Sequence, residues 1–178
     1  MTKQDLIGDL SYYNSYNEIE NNHLKEIISF VEANDDLFSR LNQKGHITVS
    51  AIVIDREYEN VLLIWHNKLN RWLQPGGHVE PEIDDKITNA AIRELIEETN
   101  LGHDQFELMS DAPFDLDVHK IPARKNDPEH FHYDFRYLFK YIDKKIDSAE
   151  YKWVPVDDII NLSESSLNRF AQKIDSIR

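Results

Sequence analysis

The fold is decided by the stretch from Gly76 to Leu101, which reads GGHVEPEIDDKITNAAIRELIEETNL. At a helical advance of about 100° per residue, Glu94, Glu97 and Glu98 fall within about a third of a turn. Carboxylates this close repel each other unless a cation lies among them, and their oxygens are the ligands that hard divalent ions select. The pattern therefore predicts a helix with an acidic face, and it favours a magnesium or manganese site on that face.

The residues around the acidic face help to separate a binding site from a solvated helix surface, which is the ordinary alternative. Pro75, Gly76 and Gly77 permit a sharp turn and a close approach of the backbone to a ligand. Arg93 precedes Glu97 by four residues, so its guanidinium can pair with that carboxylate and orient it. A glycine turn directly before an acidic helix favours the binding site.

At these residues the sequence resembles the Nudix hydrolase family, whose signature ends in R-E-apolar-x-E-E-x-G-apolar. The positions that match in register are Arg93, Glu94, Leu95, Glu97, Glu98 and Leu101. Two residues are inserted after Gly77, so the earlier signature glutamate falls on Asp85, and the late signature glycine is Asn100. Asparagine adopts the left-handed backbone conformation more readily than most residues, so we expect the helix to end there.

The resemblance implies an α/β class fold, the Nudix α/β/α sandwich, in which a mixed β-sheet lies between helices. It also implies metal-dependent hydrolysis of a nucleoside diphosphate linked to another moiety X, with Mg²⁺ or Mn²⁺ as cofactor. The implied catalytic residues are Arg93, Glu94, Glu97, Glu98 and Glu150, and the implied metal ligands are Gly76, Glu94, Glu97, Glu98 and Glu150. Either Glu94 or Glu150 would accept the proton of the attacking water, and the sequence does not choose between them.

The same resemblance leaves two other functions to consider. Some proteins of this fold are isomerases of isoprenoid diphosphates, and their chemistry resembles one that relies on a catalytic cysteine; this chain has none. The remaining alternative is a non-catalytic nucleotide sensor, in which we would expect the signature glutamates to be lost.

The composition narrows the class of partner. The chain has 178 residues with 20 Lys and Arg against 33 Asp and Glu, a net charge of -13. Nucleic-acid polymers are bound chiefly through basic side chains, so the acidic balance argues against such a substrate. The N-terminus lacks a secretory signal pattern and no apolar run reaches the length of a membrane span, so we expect a cytoplasmic protein without membrane contact.

The order of predicted elements divides the chain at Gly45. Residues 1–44 are expected to form a helical extension that packs on the domain or on a partner subunit, which is compatible with a homodimer. Residues 45–178 are expected to form the Nudix domain, beginning with strands at His46 to Ile54 and Asn60 to Trp65.

Two later segments alternate polar and apolar residues with a period of two, as strands do. If they pair as an antiparallel hairpin, positions 119 and 130, 117 and 132, and 115 and 134 could lie opposite one another. Three interpretations stay open: an exposed sheet face, a polar wall of the substrate pocket, or a second metal site. The polar residues on this face are Asp115, Asp117, His119, His130, His132 and Asp134, and the candidates for substrate contact are His119, His130, His132, Asp134 and, in the connecting loop, Arg124.

Overall fold

The computed structural model describes residues 2–67, 69–123, 128–145, 148–161 and 165–178, apart from the side chains of residues 9 and 165. An eight-stranded mixed sheet lies between two layers of helices. The strands are β1 Gly45–Ile54, β2 Asn60–His66, β3 Arg71–Leu73, β4 Gly76–His78, β5 Phe106–Leu108, β6 Asp115–Ile121, β7 His130–Tyr141 and β8 Tyr151–Pro155. The helices are α1 Lys3–Ser11, α2 Glu18–Ala33, α3 Ile87–Thr99, α4 Val156–Ile160 and α5 Ser165–Asp175, with a 3₁₀ turn at His103–Gln105. The α/β sandwich expected from the sequence is confirmed.

Strands β1 and β7 form the centre of the sheet. They run parallel, with Gly45 opposite Phe131 and Ile54 opposite Lys140. Strand β2 pairs antiparallel with β1, and β6 pairs antiparallel with β7. Every residue of β1 is buried, because helices cover the sheet on both faces. A continuous run of β-branched and small residues suits such a central strand.

One face of the sheet is covered by α1, α2 and α3. Val49 and Ala51 of β1 share an apolar core with Leu95 of α3, while the ring of Phe30 in α2 stacks on Tyr133 of β7 at 4.0 Å between centroids. This packing holds the acidic helix α3 against the strands that lead into the glycine turn.

The opposite face is covered by α4 and α5. Ile52 and Ile54 of β1 pack here with Leu138 of β7 and with Phe170 and Ile174 of α5. The same face carries the polar residues of β6 and β7 nearer the other end of the central strands, so its apolar half and its polar half are separated along the strand direction.

The N-terminal segment forms two helices, so the expectation of helix up to about residue 44 is wrong beyond Ala33. Asn17 accepts the N–H of Glu20 and begins α2, and Asn34 adopts an extended backbone that ends it. Both helices pack on the sheet of their own chain. Buried Glu20 of α2 forms an ion pair with Lys173 of α5 at 2.6 Å, which joins the two layers beside β6.

Helix α3 ends where the sequence predicts. Asn100 has a φ of 56° and a ψ of 21°, in the left-handed region, and its N–H donates to the carbonyl of Ile96. An asparagine in place of the signature glycine therefore terminates the helix with little strain. Across the described residues, no helix is both long and apolar enough to cross a membrane.

Candidate active site

The glycine turn and the acidic helix meet directly. The backbone N–H of Gly76 donates to Oε2 of Glu98 at 2.8 Å. A Cβ added at Gly77 would overlap the carboxylate of Glu94, so that carboxylate rests against the bare backbone of β4. A side chain at this position would displace the carboxylate of Glu94.

Arg93 holds the loop and the helix together. Its Nε and Nη2 donate to the two carboxylate oxygens of Asp84 at 3.2 and 2.9 Å, and Nη2 also donates to the carbonyl of His78 at 2.8 Å. Its Nη1 donates to Oε1 of Glu94 at 2.9 Å, while Oε2 of Glu97 lies 3.5 Å away. Arg93 therefore contacts Glu94 more closely than Glu97, the partner expected from the sequence.

Asp84, rather than the neighbouring Asp85, contacts Arg93. Asp84 is 3% exposed, pairs with Arg93 and accepts the backbone N–H of Glu80, whereas Asp85 is exposed. A turn at residues 81–83 follows the glycine pair, and the aspartate that contacts Arg93 lies one residue before the position reached by counting back through the signature. In the sequence, the adjacent Asp84 and Asp85 indicated that either residue could contact Arg93.

The acidic face is partly buried, and this changes its protonation. Burial raises the pKa of Glu98 to about 7; the N–H of Gly76 opposes the shift, and the charges of Glu94 and Glu97 add to it. Burial also raises the pKa of Glu94, against the opposing effect of Arg93. A divalent cation at this face would relieve the repulsion among the three carboxylates.

Two further candidates from the sequence are Glu150 and Arg124. Glu150 is exposed, and its carboxylate accepts a hydrogen bond from Ser148; none of its described contacts reaches α3. The hydrogen bond from Ser148 lowers the pKa of Glu150. The described side-chain contact of Glu150 is therefore with Ser148. Arg124 lies outside the described residues.

The two alternating segments form the expected antiparallel pair, but the register differs by two residues. Asp115 lies opposite Arg136, Asp117 opposite Asp134, and His119 opposite His132. A shift of two keeps every side chain on its expected face. The exposed-face interpretation is wrong, because Asp115, Asp117, His130 and Asp134 are all less than 7% exposed.

Arg136 provides the reason for this register. Its guanidinium contacts Asp115 at 3.2 Å, Asp117 at 3.0 Å and Asp134 at 2.9 Å. Arg169 of α5 adds contacts to Asp115 at 2.8 Å and to Asp117 at 3.0 Å. Burial opposes ionisation of Asp117, but Arg136, His119 and Arg169 hold its pKa well below the ordinary range. These buried charges are balanced only when Arg136 lies among all three carboxylates.

Asp134 belongs to this buried network. Its oxygens accept hydrogen bonds from Thr48 at 3.0 Å, Ser50 at 2.8 Å and Nε of Arg136 at 2.9 Å. The carboxylate of Asp134 therefore positions Thr48, Ser50 and Arg136 and does not face a substrate. Sequence reasoning missed Arg136, although it continues the period of two from His130, and missed Arg169, which no local pattern could have connected to β6.

Beyond the aspartates, five of the eight histidines of the chain come together, and we call them the histidine cluster: His46, His78, His119, His130 and His132. The ring of His132 lies 4.8 Å from that of His46, 5.2 Å from His130 and 5.3 Å from His119. Burial and the neighbouring imidazoles lower the pKa of His132 to about 2, so it is neutral at physiological pH. His46 was not among the sequence candidates.

A mixed sheet lies between helices, and the carboxylates of one helix meet a Gly-Gly turn. These features place the protein among the α/β/α sandwiches. The family model of the NUDIX domain matches residues 44–174. The chain therefore belongs to the NUDIX family and is a Nudix-type hydrolase. Enzymes of this family use divalent metal ions.

Relatives and solved structures agree with this membership. A probable DHNTP pyrophosphohydrolase from Lactococcus lactis subsp. cremoris is 31% identical over 130 residues, which cover 71% of this chain and 74% of that protein. The C. elegans Ap4A hydrolase matches with a TM-score of 0.54 at 20% identity, over 74% of this chain and 96% of that one. A NUDIX family hydrolase from Clostridium perfringens matches with a TM-score of 0.52 at 24% identity, over 75% of this chain and 98% of that one. The two structural likenesses show the fold.

Proposed function

We propose that this protein is a Mg²⁺- or Mn²⁺-dependent pyrophosphohydrolase of a small nucleotide-like substrate, a nucleoside diphosphate linked to another moiety. The observation that carries the proposal is the contact of Glu98 and Glu94 with the backbone of Gly76 and Gly77. That contact concentrates partly buried carboxylates around a turn whose backbone a phosphate can approach closely.

The donor set fits a hard divalent ion. Glu94, Glu97 and Glu98 would supply carboxylate oxygens, and Gly76 would supply its carbonyl. The raised pKa of Glu98 is what burial among like charges produces, and binding of a cation would displace the proton. When bound, such an ion neutralises the negative phosphate oxygens and lowers the pKa of a coordinated water.

The remaining steps belong to the residues of the chain. Arg93, held by Asp84, keeps Glu94 beside the turn in one orientation. Because Glu94 lies at the turn and the described bond of Glu150 is to Ser148, we assign Glu94 as the acceptor of the water proton. Two residues of the polar face of β6 and β7 are the candidates for contact with the substrate. They are His132, which is half-buried, and His119, whose side chain is 42% exposed.

The test is a hydrolysis assay over a panel of phosphoanhydrides with Mg²⁺ or Mn²⁺. The panel begins with DHNTP, because a relative at 31% identity carries that name, and continues with nucleoside triphosphates, a dinucleoside polyphosphate and ADP-ribose. We expect metal-dependent turnover of one class of substrate. Loss of an outer-shell partner of a metal lowers activity by up to about 100-fold, so we expect loss of the direct ligand in Glu98→Gln to lower kcat by at least that factor.

The matched control is Glu107→Gln, which removes an exposed carboxylate from β5 and should leave turnover unchanged. Full metal-dependent activity in Glu98→Gln would overturn the site. Absence of turnover across the panel, together with a higher melting temperature in the presence of a nucleotide, would replace the hydrolase by the nucleotide sensor.

A further inference from the structure

Three members of the histidine cluster have the arrangement of a metal-binding set. One ring nitrogen from each of His46, His130 and His132 lies within 4.8 Å of the other two. His46 is 1% exposed and His130 is 6% exposed, so two of the three imidazoles are held inside the protein. They come from two adjacent parallel strands, with His46 directly opposite His132.

The spacing of these nitrogens is close to that of a coordinated ion. Nε2 of His130 lies 3.3 Å from Nε2 of His132. Tetrahedral zinc with Zn–N bonds of about 2.0–2.1 Å separates its ligand nitrogens by about 3.3 Å. The widest separation in the set must shorten by about 1.5 Å, which small side-chain rotations within a rotamer well can supply.

One of the three imidazoles, that of His130, has the backbone support that metal-binding histidines usually have. Nδ1 of His130 lies 2.8 Å from the carbonyl of Pro128, so it carries the proton, and Nε2 presents a lone pair toward His132. Nδ1 of His119 lies 3.0 Å from Oδ2 of Asp117, a carboxylate that Arg136 and Arg169 hold in place.

We propose that His46, His130 and His132 form a second metal centre that takes a borderline divalent ion such as Zn²⁺. Imidazole nitrogens prefer such ions to Mg²⁺, so this centre and the carboxylates of α3 select different metals. Three protein ligands leave the fourth position open to water or to an anionic oxygen of a ligand. Beside His132, with 5.3 Å between ring centroids, lies His119, a member of the cluster whose side chain is 42% exposed.

The centre is connected to the active site through β4. The ring of His78 lies 4.9 Å from that of His46 and 5.5 Å from that of His132, while its carbonyl accepts Nη2 of Arg93. The proposal does not depend on this link or on hydrolysis, because it concerns binding of the ion itself.

The experiment is calorimetric titration of the EDTA-treated, dialysed full chain with Zn²⁺ in excess Mg²⁺, which occupies oxygen ligands. We expect one equivalent of Zn²⁺ to bind. Glu98→Gln and the exposed-histidine control His103→Gln should bind it with unchanged affinity, and His130→Gln and His132→Gln should bind it at least about tenfold more weakly. Circular dichroism in EDTA establishes that each variant is folded.

A second readout uses the wild-type protein and needs no variant. Co²⁺ in a tetrahedral imidazole site absorbs visible light far more strongly than Co²⁺ among carboxylates and waters, so we expect intense visible bands that Zn²⁺ abolishes. Weak octahedral-type absorption, or Zn²⁺ binding lost in Glu98→Gln and kept in His132→Gln, would overturn the proposal. The contact between His130 and His132 would then be an N–H···N hydrogen bond alone.

Discussion

Arg93 and Asp84 form a two-point contact, with Nε and Nη2 of the guanidinium donating to the two carboxylate oxygens at 3.2 and 2.9 Å. The contact ties the loop after β4 to the helix that carries the acidic face. Two parallel hydrogen bonds define direction as well as distance, so the guanidinium that reaches Glu94 has one orientation. Asp84 thus supports the acidic face through Arg93, although the loop contains two inserted residues.

Replacing Asp84 should impair the enzyme although it lies outside the acidic face. In Asp84→Asn, one of the two acceptors for Arg93 becomes an amide donor, so the guanidinium that contacts Glu94 is held less firmly in its orientation. We expect kcat to fall by about 10- to 100-fold, as for other supports of metal ligands. The matched change Asp85→Asn should leave kcat unaltered. Steady-state kinetics on the substrate found in the panel compares the two, and equal losses would contradict the assignment.

Glu98 should reduce the stability of the metal-free protein at alkaline pH. Its folded-state pKa of about 7 lies above its ordinary value, so the folded state binds the extra proton. The associated stability is complete below the unfolded pKa and is lost as pH rises through 7. Glu98→Gln retains an oxygen for the N–H of Gly76 without a charge.

We therefore expect Glu98→Gln to be more stable than wild type at pH 8 by on the order of 1 kcal/mol, after allowance for solvent screening. At pH 4.5 the difference should be much smaller. Urea unfolding in EDTA at both pH values measures it, with Glu107→Gln as control. A variant less stable than wild type at pH 8 would be inconsistent with the raised pKa.

Removing Arg136 should destabilise the protein strongly. Its side chain is 3% exposed and contacts three buried carboxylates. Arg136→Met therefore removes the ion pair of Asp134 and leaves Asp115 and Asp117 with the weaker compensation that Arg169 supplies. We expect a loss of about 3–5 kcal/mol in the free energy of unfolding. The control is Arg178→Met, which breaks an exposed pair with Asp157 and should cost less than about 1 kcal/mol. Similar losses for both variants in urea unfolding would refute the role of Arg136.

His132 should make the metal-free protein sensitive to mild acid. Its folded-state pKa is lowered to about 2, while an unfolded histidine titrates near about 6.5, so below that pH only the unfolded state takes the proton. Stability is therefore lost as pH falls, by up to about 1.4 kcal/mol per pH unit for this one group.

The measurement is urea unfolding in EDTA at pH 8, 6.5 and 5.5. His132→Gln should lose less stability than wild type between pH 6.5 and 5.5, by about 1 kcal/mol. His103→Gln, in an exposed turn, should follow wild type. Parallel pH profiles for wild type and His132→Gln would mean that His132 is not held neutral in the fold.

Prediction from sequence succeeded where the pattern is local. The acidic face of α3 follows from helical spacing, and the common face of the β6 and β7 residues follows from a period of two. It failed across longer connections: the aspartate that contacts Arg93 is Asp84 and not Asp85, and the register of β6 against β7 differs by two residues from the expected one. Loop length does not determine register, because buried charge and packing in the final fold select among the alternatives.

Residue order alone was enough to specify the helix that carries Glu94, Glu97 and Glu98, its end at Asn100 and the membership of the NUDIX family, because these depend on neighbours within a few residues. The choice of Asp84 over Asp85, the buried network around Arg136 and the meeting of five histidines depend on strands and helices distant in the chain. Arg169 is 54 residues from Asp115, yet the two side chains lie 2.8 Å apart. A buried charge needs a partner of opposite charge, and here the partner comes from another helix or strand. Only the folded chain determines which element supplies it.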